Sequence, residues 1–337
     1  MAEYGNLSLY KYVVEKTKHI HPVAKNGWTP MHSAAEKGHL EIIQYLISHL
    51  EDQNPAMMDG STPFHYAAQE GHLEVVQYIG SHLRNEIPAM YDGTTPLHLA
   101  SQNGHLEIVK YMVENLGVKN PAMDNGSCPL HYAAKEGHFD IVKYMIPHLE
   151  DKNPGMDNGC TPVHFATQNG HLEIVKFIIP HLEDKNPATV DGVTPMHNAA
   201  KEGYLEIIKC LIPHLEDKNP TMHDGCTPLH CAAQEGHLEI VKYLMPHLED
   251  LNPGMNNGWT PFHLAAQNGH LEVVKFLIHH LEDKNPAMAN GSTPLHYAAQ
   301  EGHLEIVKYI IGKKAKFYSK LNNNNLVEKL WTMLYAK

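Results

Sequence analysis

An all-α solenoid of stacked helix-turn-helix repeats with projecting hairpin-like loops is the fold class this sequence predicts, and three observations predict it. Thr-Pro-x-His recurs at Thr29, Thr62, Thr95, Thr161, Thr194, Thr227, Thr260 and Thr293, with Cys128 in the remaining slot, so a 33-residue spacing is sustained nine times. An Asp-Gly or Asn-Gly pair precedes each copy, from Asn26-Gly27 to Asn290-Gly291. Apolar residues of period 3.6 follow each copy, as in Leu106, Ile108, Val109, Met112 and Val113. A unit this small cannot bury its apolar face alone. It stacks on its neighbours and leaves corresponding positions on one long exposed face.

Each element follows from local chemistry. Asp/Asn-Gly tolerates the positive φ of a tight turn. Thr then caps a helix, and Pro sits in its first turn, where a missing N–H costs nothing. Leu97 and Ala100 line a short first helix, Gly104-His105 turns the chain, and the aliphatic run forms an antiparallel second helix. Small pairs such as Ala34-Ala35, Ala67-Ala68 and Ala232-Ala233 let neighbouring helices approach closely.

The unit resembles the ankyrin repeat in length, in its Gly-x-Thr-Pro-Leu-His opening, in its Ala-Ala pair and Gly-His, and in its aliphatic second helix. The resemblance covers nearly the whole chain. It implies a curved stack of helix pairs whose concave face and loop tips bind other proteins, with the Thr-Pro-x-His histidines bonded to the capping Thr or nearby backbone of their own turn. One departure is plain: Leu-Glu-Asp, with Pro147, Pro180, Pro213 or Pro246 often two residues before the Leu, stands where the family has Gly-Ala-Asp. The second helix is therefore expected to run on until Asn-Pro, as at Asn153-Pro154, ends it, with the interior prolines distorting its last turn.

The repeat frames one elongated domain. Residues 1–25 read as an N-terminal half-repeat cap, 26–322 as nine repeats with the last degenerate in its second half, and 323–337 as a C-terminal capping helix built on Leu326, Val327, Leu330, Trp331 and Leu334. No apolar run approaches a membrane span. Five irregularly spaced cysteines argue against a disulfide framework and for a reducing, cytoplasmic location. A net charge of −12 disfavours nucleic acid and favours a protein partner carrying a basic patch. The chain is expected to be a monomer.

The 28 histidines do not read as metal ligands, because almost all fall in three columns of the repeat whose members lie a helix width apart. Nine follow Thr-Pro-x, eight follow the inter-helix Gly, and seven sit near the end of the second helix. No phosphate loop, His-Glu-x-x-His, Cys-x-x-Cys or Gly-x-Ser-x-Gly appears, so neither catalysis nor a cofactor is expected. Cys226 and Cys231, which flank His230, occupy ordinary slots of the repeat.

Variation between units points to the working surface. The residue two before each turn Gly includes Met58, Tyr91, Val190 and His223; the residue after it includes Trp28, Val193 and Trp259. Large apolar groups at loop tips are the contact candidates, set against the reading that each packs on the neighbouring loop. Tyr66, Phe165, Asn198 and Tyr297, midway along first helices, extend that surface. The expected function is a non-enzymatic scaffold for partner proteins. The alternative is a structural or tethering repeat region of a larger protein, or a microbial effector acting on host proteins.

Overall fold

The computed structural model describes residues 2–83 and 87–320, with side chains as far as 313. Its contacts divide the chain into two compact units, Met1–Asp184 and Lys185–Lys337. In the first, a short 3-10 turn, Ala2–Tyr4, and the helix Leu7–Thr17 precede five helix pairs. The first helices of those pairs are Pro30–Glu36, Pro63–Gln69, Pro96–Gln102, Pro129–Glu136 and Pro162–Gln168. The second helices are Leu40–Ile47, Leu73–His82, Leu106–Asn115, Phe139–Met145 and Leu172–Ile178. The other unit repeats the plan with first helices Pro195–Glu202, Pro228–Glu235, Pro261–Gln267 and Pro294–Gln300. Its second helices are Leu205–Leu211, Leu238–Leu244, Leu271–His280 and Leu304–Lys320. Helices are the regular elements among the described residues, and within each unit first helix packs on first helix and second on second.

The core lies between the two helix rows. Met31, Ala34, Ala35, Ile42, Ile43 and Leu46 of one repeat are fully buried, and their counterparts repeat the pattern. Each first helix starts at an extended Thr, or at Cys128 in one repeat, with the imidazole three residues on replacing the Glu or Gln of an ordinary capping box. His65 Nδ1 accepts from the Thr62 N–H at 3.1 Å and from its hydroxyl at 2.9 Å. The expected role of this histidine column is therefore found, and Cys128 supplies a thiol in place of the hydroxyl, 3.0 Å from His131 Nδ1.

The second helix does not run on to Asn-Pro. In the proline-bearing repeats it tightens into a 3-10 turn at Ile146–His148, Ile179–His181, Ile212–His214 and Met245–His247, and Leu149 that follows is extended at φ −102° and ψ 146°. The distortion expected at Pro occurs, because Pro147 has no N–H for an intrahelical bond. Continuation fails because Leu149 reaches the core from an extended backbone, only 8 % exposed. Lys152 Nζ then closes the end, donating to the Ile146 carbonyl at 2.8 Å and to that of Leu149. This ammonium takes over the helix stop for which a glycine is the commoner device.

The rest of the tail prepares the next repeat. Asp151 Oδ1 accepts from the Asn153 N–H at 2.9 Å, Asn153 Nδ2 donates to Thr161 Oγ1 at 2.9 Å, and Asn153 Oδ1 accepts from the Val163 N–H at 3.1 Å. Asn54, Asn120, Asn219, Asn252 and Asn285 accept the equivalent N–H in their own repeats. The last second helix, Leu304–Lys320, passes through Gly312 with no such tail. The expected capping helix at 323–337 lies outside the described residues.

Candidate functional site

Every loop is a tight hairpin-like turn. Met57 N–H donates to the Ser61 carbonyl at 2.8 Å, Gly60 N–H to the Met57 carbonyl at 3.1 Å, and Asp59 Oδ1 accepts from the Ser61 N–H at 2.9 Å. Gly60 sits at φ +86°, and a Cβ there would lie 3.0 Å from the Met90 Cα of the next loop, so glycine serves both the turn and the close approach. Successive tips are stitched by backbone. Met58 N–H donates to Asn26 O at 3.1 Å, Tyr91 to Asp59 at 3.0 Å and Asp124 to Asp92 at 3.1 Å; in the second unit His223 donates to Asp191 at 3.2 Å and Asn256 to Asp224 at 2.9 Å.

Large side chains stand in water on these tips. Met58, Tyr91 and Val190 are 71 %, 77 % and 58 % exposed, and His223 is exposed as well. Asp59, Asp92, Asp124, Asp157, Asp191 and Asp224 surround them as exposed acids. The Ser61 hydroxyl holds the Asp59 carboxyl below its ordinary range, and the Thr94 backbone N–H does the same for Asp92.

The residues after the turn glycine behave differently. Trp28 and Trp259 are half-buried. Trp28 Nε1 donates to Ser33 Oγ at 2.8 Å, and its ring meets Tyr66 of the next repeat edge-on at 4.9 Å. Trp259 lies 4.4 Å from the Tyr297 ring. For these two the packing partner is a ring on the neighbouring first helix. Val193, Tyr66 and Phe165 are also half-buried, the last meeting the His131 ring edge-on at 5.9 Å. Asn198 shares that slot, half-buried on its own first helix.

Two contributors escaped the sequence reading. Methionines beneath the face accept from the tyrosine hydroxyls: Tyr66 to Met57 at 3.5 Å, Tyr132 to Met123 at 3.3 Å and Tyr297 to Met288 at 3.6 Å. Their signal was the Met that follows Pro-Ala or Pro-Gly in most tails, hidden because it hardly varies along the chain. The other is the bond made by the histidine after the inter-helix Gly, whose column the sequence showed. His72 Nε2 donates to the Glu36 carbonyl at 2.9 Å and His105 to that of Gln69 at 2.8 Å, tying the ends of successive first helices together.

The family model described as ankyrin repeats, three copies, matches the chain in overlapping windows: residues 1–87, 49–124, 80–155, 97–189, 147–222, 179–254, 196–288 and 246–325. The chain belongs to the ankyrin-repeat family. A comparison with curated proteins finds no match. Ankyrin repeats are in general protein–protein interaction modules, and the family is typically non-enzymatic. Among the described residues of this ankyrin chain, no group of three or more His, Cys, Asp and Glu is placed to hold a metal ion, and no helix is long and apolar enough to cross a membrane.

An ankyrin stack explains an apolar cavity of about 620 Å³ in the first unit, between Tyr10, Val13, Val14 and Thr17 on one side and Trp28, Pro30 and Ser33 on the other. In every later repeat the body of a first helix fills that seat. Here Ala2–Tyr4 supplies only a last turn.

Proposed function

We propose that this ankyrin-repeat chain is a non-enzymatic binding module of the cell interior that docks a partner protein on its loop tips and the adjoining first-helix face. The observation that carries the reading is the pair Met58 and Tyr91, both more than two-thirds exposed on consecutive tips whose backbones are bonded to each other. An apolar side chain left in water on a rigid support adds affinity cheaply, because little ordering remains to be done on binding. The acids beside them, Asp59 and Asp92, favour a partner that offers an apolar anchor flanked by Lys or Arg. Trp28, Tyr66 and Phe165 then form floor rather than anchors in the first unit, and Val193 and Trp259 do so in the second, where Val190 and His223 would act as Met58 and Tyr91 do.

The test is crosslinking capture from the source cell with the wild-type chain and a Met58→Ser, Tyr91→Ser double variant. Both side chains bury little, so the melting temperature should not move. Loss of a stoichiometric prey from the variant supports the reading, and weaker capture at high salt supports a basic partner. Equal capture by both proteins moves the site off these tips, and no prey at all favours the structural or tethering role.

A further inference from the structure

In the second unit the two slots that elsewhere hold Trp28 with Ser33, or Ser61 with Tyr66, hold a pair of thiols. Cys226 follows the turn glycine Gly225, and Cys231 stands on the helix Pro228–Glu235 that begins two residues after Cys226. Their sulfurs are 3.7 Å apart. The slots themselves guarantee proximity, since Trp28 Nε1 reaches Ser33 Oγ at 2.8 Å and Ser61 Oγ lies 3.5 Å from the Tyr66 hydroxyl. Cys226 is half-buried and reachable from solvent, whereas Cys231 is buried at 8 % exposure. We propose that Cys226 and Cys231 form a reversible dithiol–disulfide site, oxidised by small-molecule disulfides such as oxidised glutathione. The proposal is independent of which partner the loop tips bind.

The chemistry assigns one role to each sulfur. The hydrogen bond between the two sulfurs lowers the Cys226 thiol below its ordinary range, against burial and the Asp224 carboxylate, and raises Cys231. By contrast burial pushes up Cys128 and Cys160, the latter in the Cys226 slot of a repeat whose companion residue is Phe165. Cys226, the sulfur that solvent reaches, is therefore the attacking thiolate. It displaces one thiolate from the small disulfide, giving a mixed disulfide and one free small thiol. With the Cys226 charge gone, Cys231 loses its proton and attacks Cys226 Sγ, expelling the second small thiol. Two protein thiols lose two electrons and two protons, and one small disulfide becomes two thiols. A disulfide needs the sulfurs at about 2.05 Å, and the remaining approach falls to Cys226 on the loop side of the cap.

The test uses the full chain, incubated with oxidised glutathione, acid-quenched, alkylated at free thiols and mapped by peptide mass. The expected result is loss of alkylation at Cys226 and Cys231 together, without a glutathione adduct, and full return after dithiothreitol. Cys231→Ser, a residue its slot already accepts at Ser33, should stop the sequence at a glutathione adduct on Cys226. Cys226→Ser should leave Cys231 unmodified. Both thiols fully alkylated in the wild type, or a lasting adduct on wild-type Cys226, would overturn the proposal.

Discussion

Lys152 Nζ lies 2.8 Å from the Ile146 carbonyl, and this bond finishes a helix that Pro147 has already tightened. Lys218 to Ile212, at 2.9 Å, and Lys284 to Ile278, at 2.6 Å, repeat it, the last in a repeat without the proline. The lysine is thus a helix-end cap in its own right. A hydrogen bond from a charged donor contributes about 1.5–3 kcal/mol, reduced here because the ammonium is only partly buried. Lys152→Met should cost roughly 1 kcal/mol in a denaturant titration, and Lys152→Arg should cost less. An unchanged midpoint for the methionine variant would remove the capping role.

The first histidine column makes the fold sensitive to acid. Burial lowers His32, His65, His98, His131, His197 and His230 to about 4, and lowers His263 as well. Each Nδ1 accepts from its capping Thr or Cys, a role that a protonated ring cannot fill. Above the unfolded value near 6.5 the ring is neutral in both states and its contribution is complete. As pH falls from about 6.5 toward 4 the unfolded chain takes up protons that the folded chain refuses, and stability is lost, on the order of 3 kcal/mol per histidine across the window. Melting temperature should therefore fall steeply between pH 6.5 and 4. His65→Gln, which keeps a capping-box acceptor without titrating, should flatten the slope; an identical slope would acquit His65.

Helix beginnings were legible in the sequence because Thr-Pro-x-His states the cap, the first turn and the capping-box partner within four residues. Helix ends were not. Leu149 has helical spacing from Ile146 and Met145, yet spacing is blind to a backbone that turns extended and still buries the same side chain. At the candidate site, variation along the chain found the slots but could not rank them. Trp28 and Tyr91 look alike as exposed aromatics; only stacking sets Trp28 against Tyr66 in the next repeat and leaves Tyr91 in water. The Asn and Met of the tail were passed over because they hardly vary, although they carry the bonds between one repeat and the next.

The tail asparagine is testable at Ile87, one of the two places where its slot holds another residue, the other being His21. Asn153 holds the Val163 N–H and the Thr161 hydroxyl, so Asn153→Ala should cost about 1–2 kcal/mol and leave that N–H without its acceptor. Ile87 occupies the same slot in the repeat that begins at Thr95 and has no acceptor to offer the Leu97 N–H. Amide hydrogen exchange should show Leu97 less protected than Val163. Ile87→Asn should restore protection at Leu97, and failure to do so would mean the acceptor is not what limits exchange there.

The open seat beside Tyr10 makes a prediction about added chain. In internal repeats the counterparts of Tyr10, Val13 and Val14 are Ile43, Leu46 and Ile47, buried to 3 % or less against a first helix. Here Val13 and Val14 remain half-exposed around the cavity of about 620 Å³. Ala2 aligns with Ala68, so replacing Met1 with a copy of residues 59–67 places a first-helix body beside Ala2 in register. Burying both valines and filling the cavity should stabilise the N-terminal helix Leu7–Thr17 by a few kcal/mol, at about 25 cal/mol per Å² of apolar surface. Hydrogen exchange across residues 7–17 should slow accordingly. Unchanged exchange there would show that the segment 19–24, which walls the cavity, already does the work of a first helix.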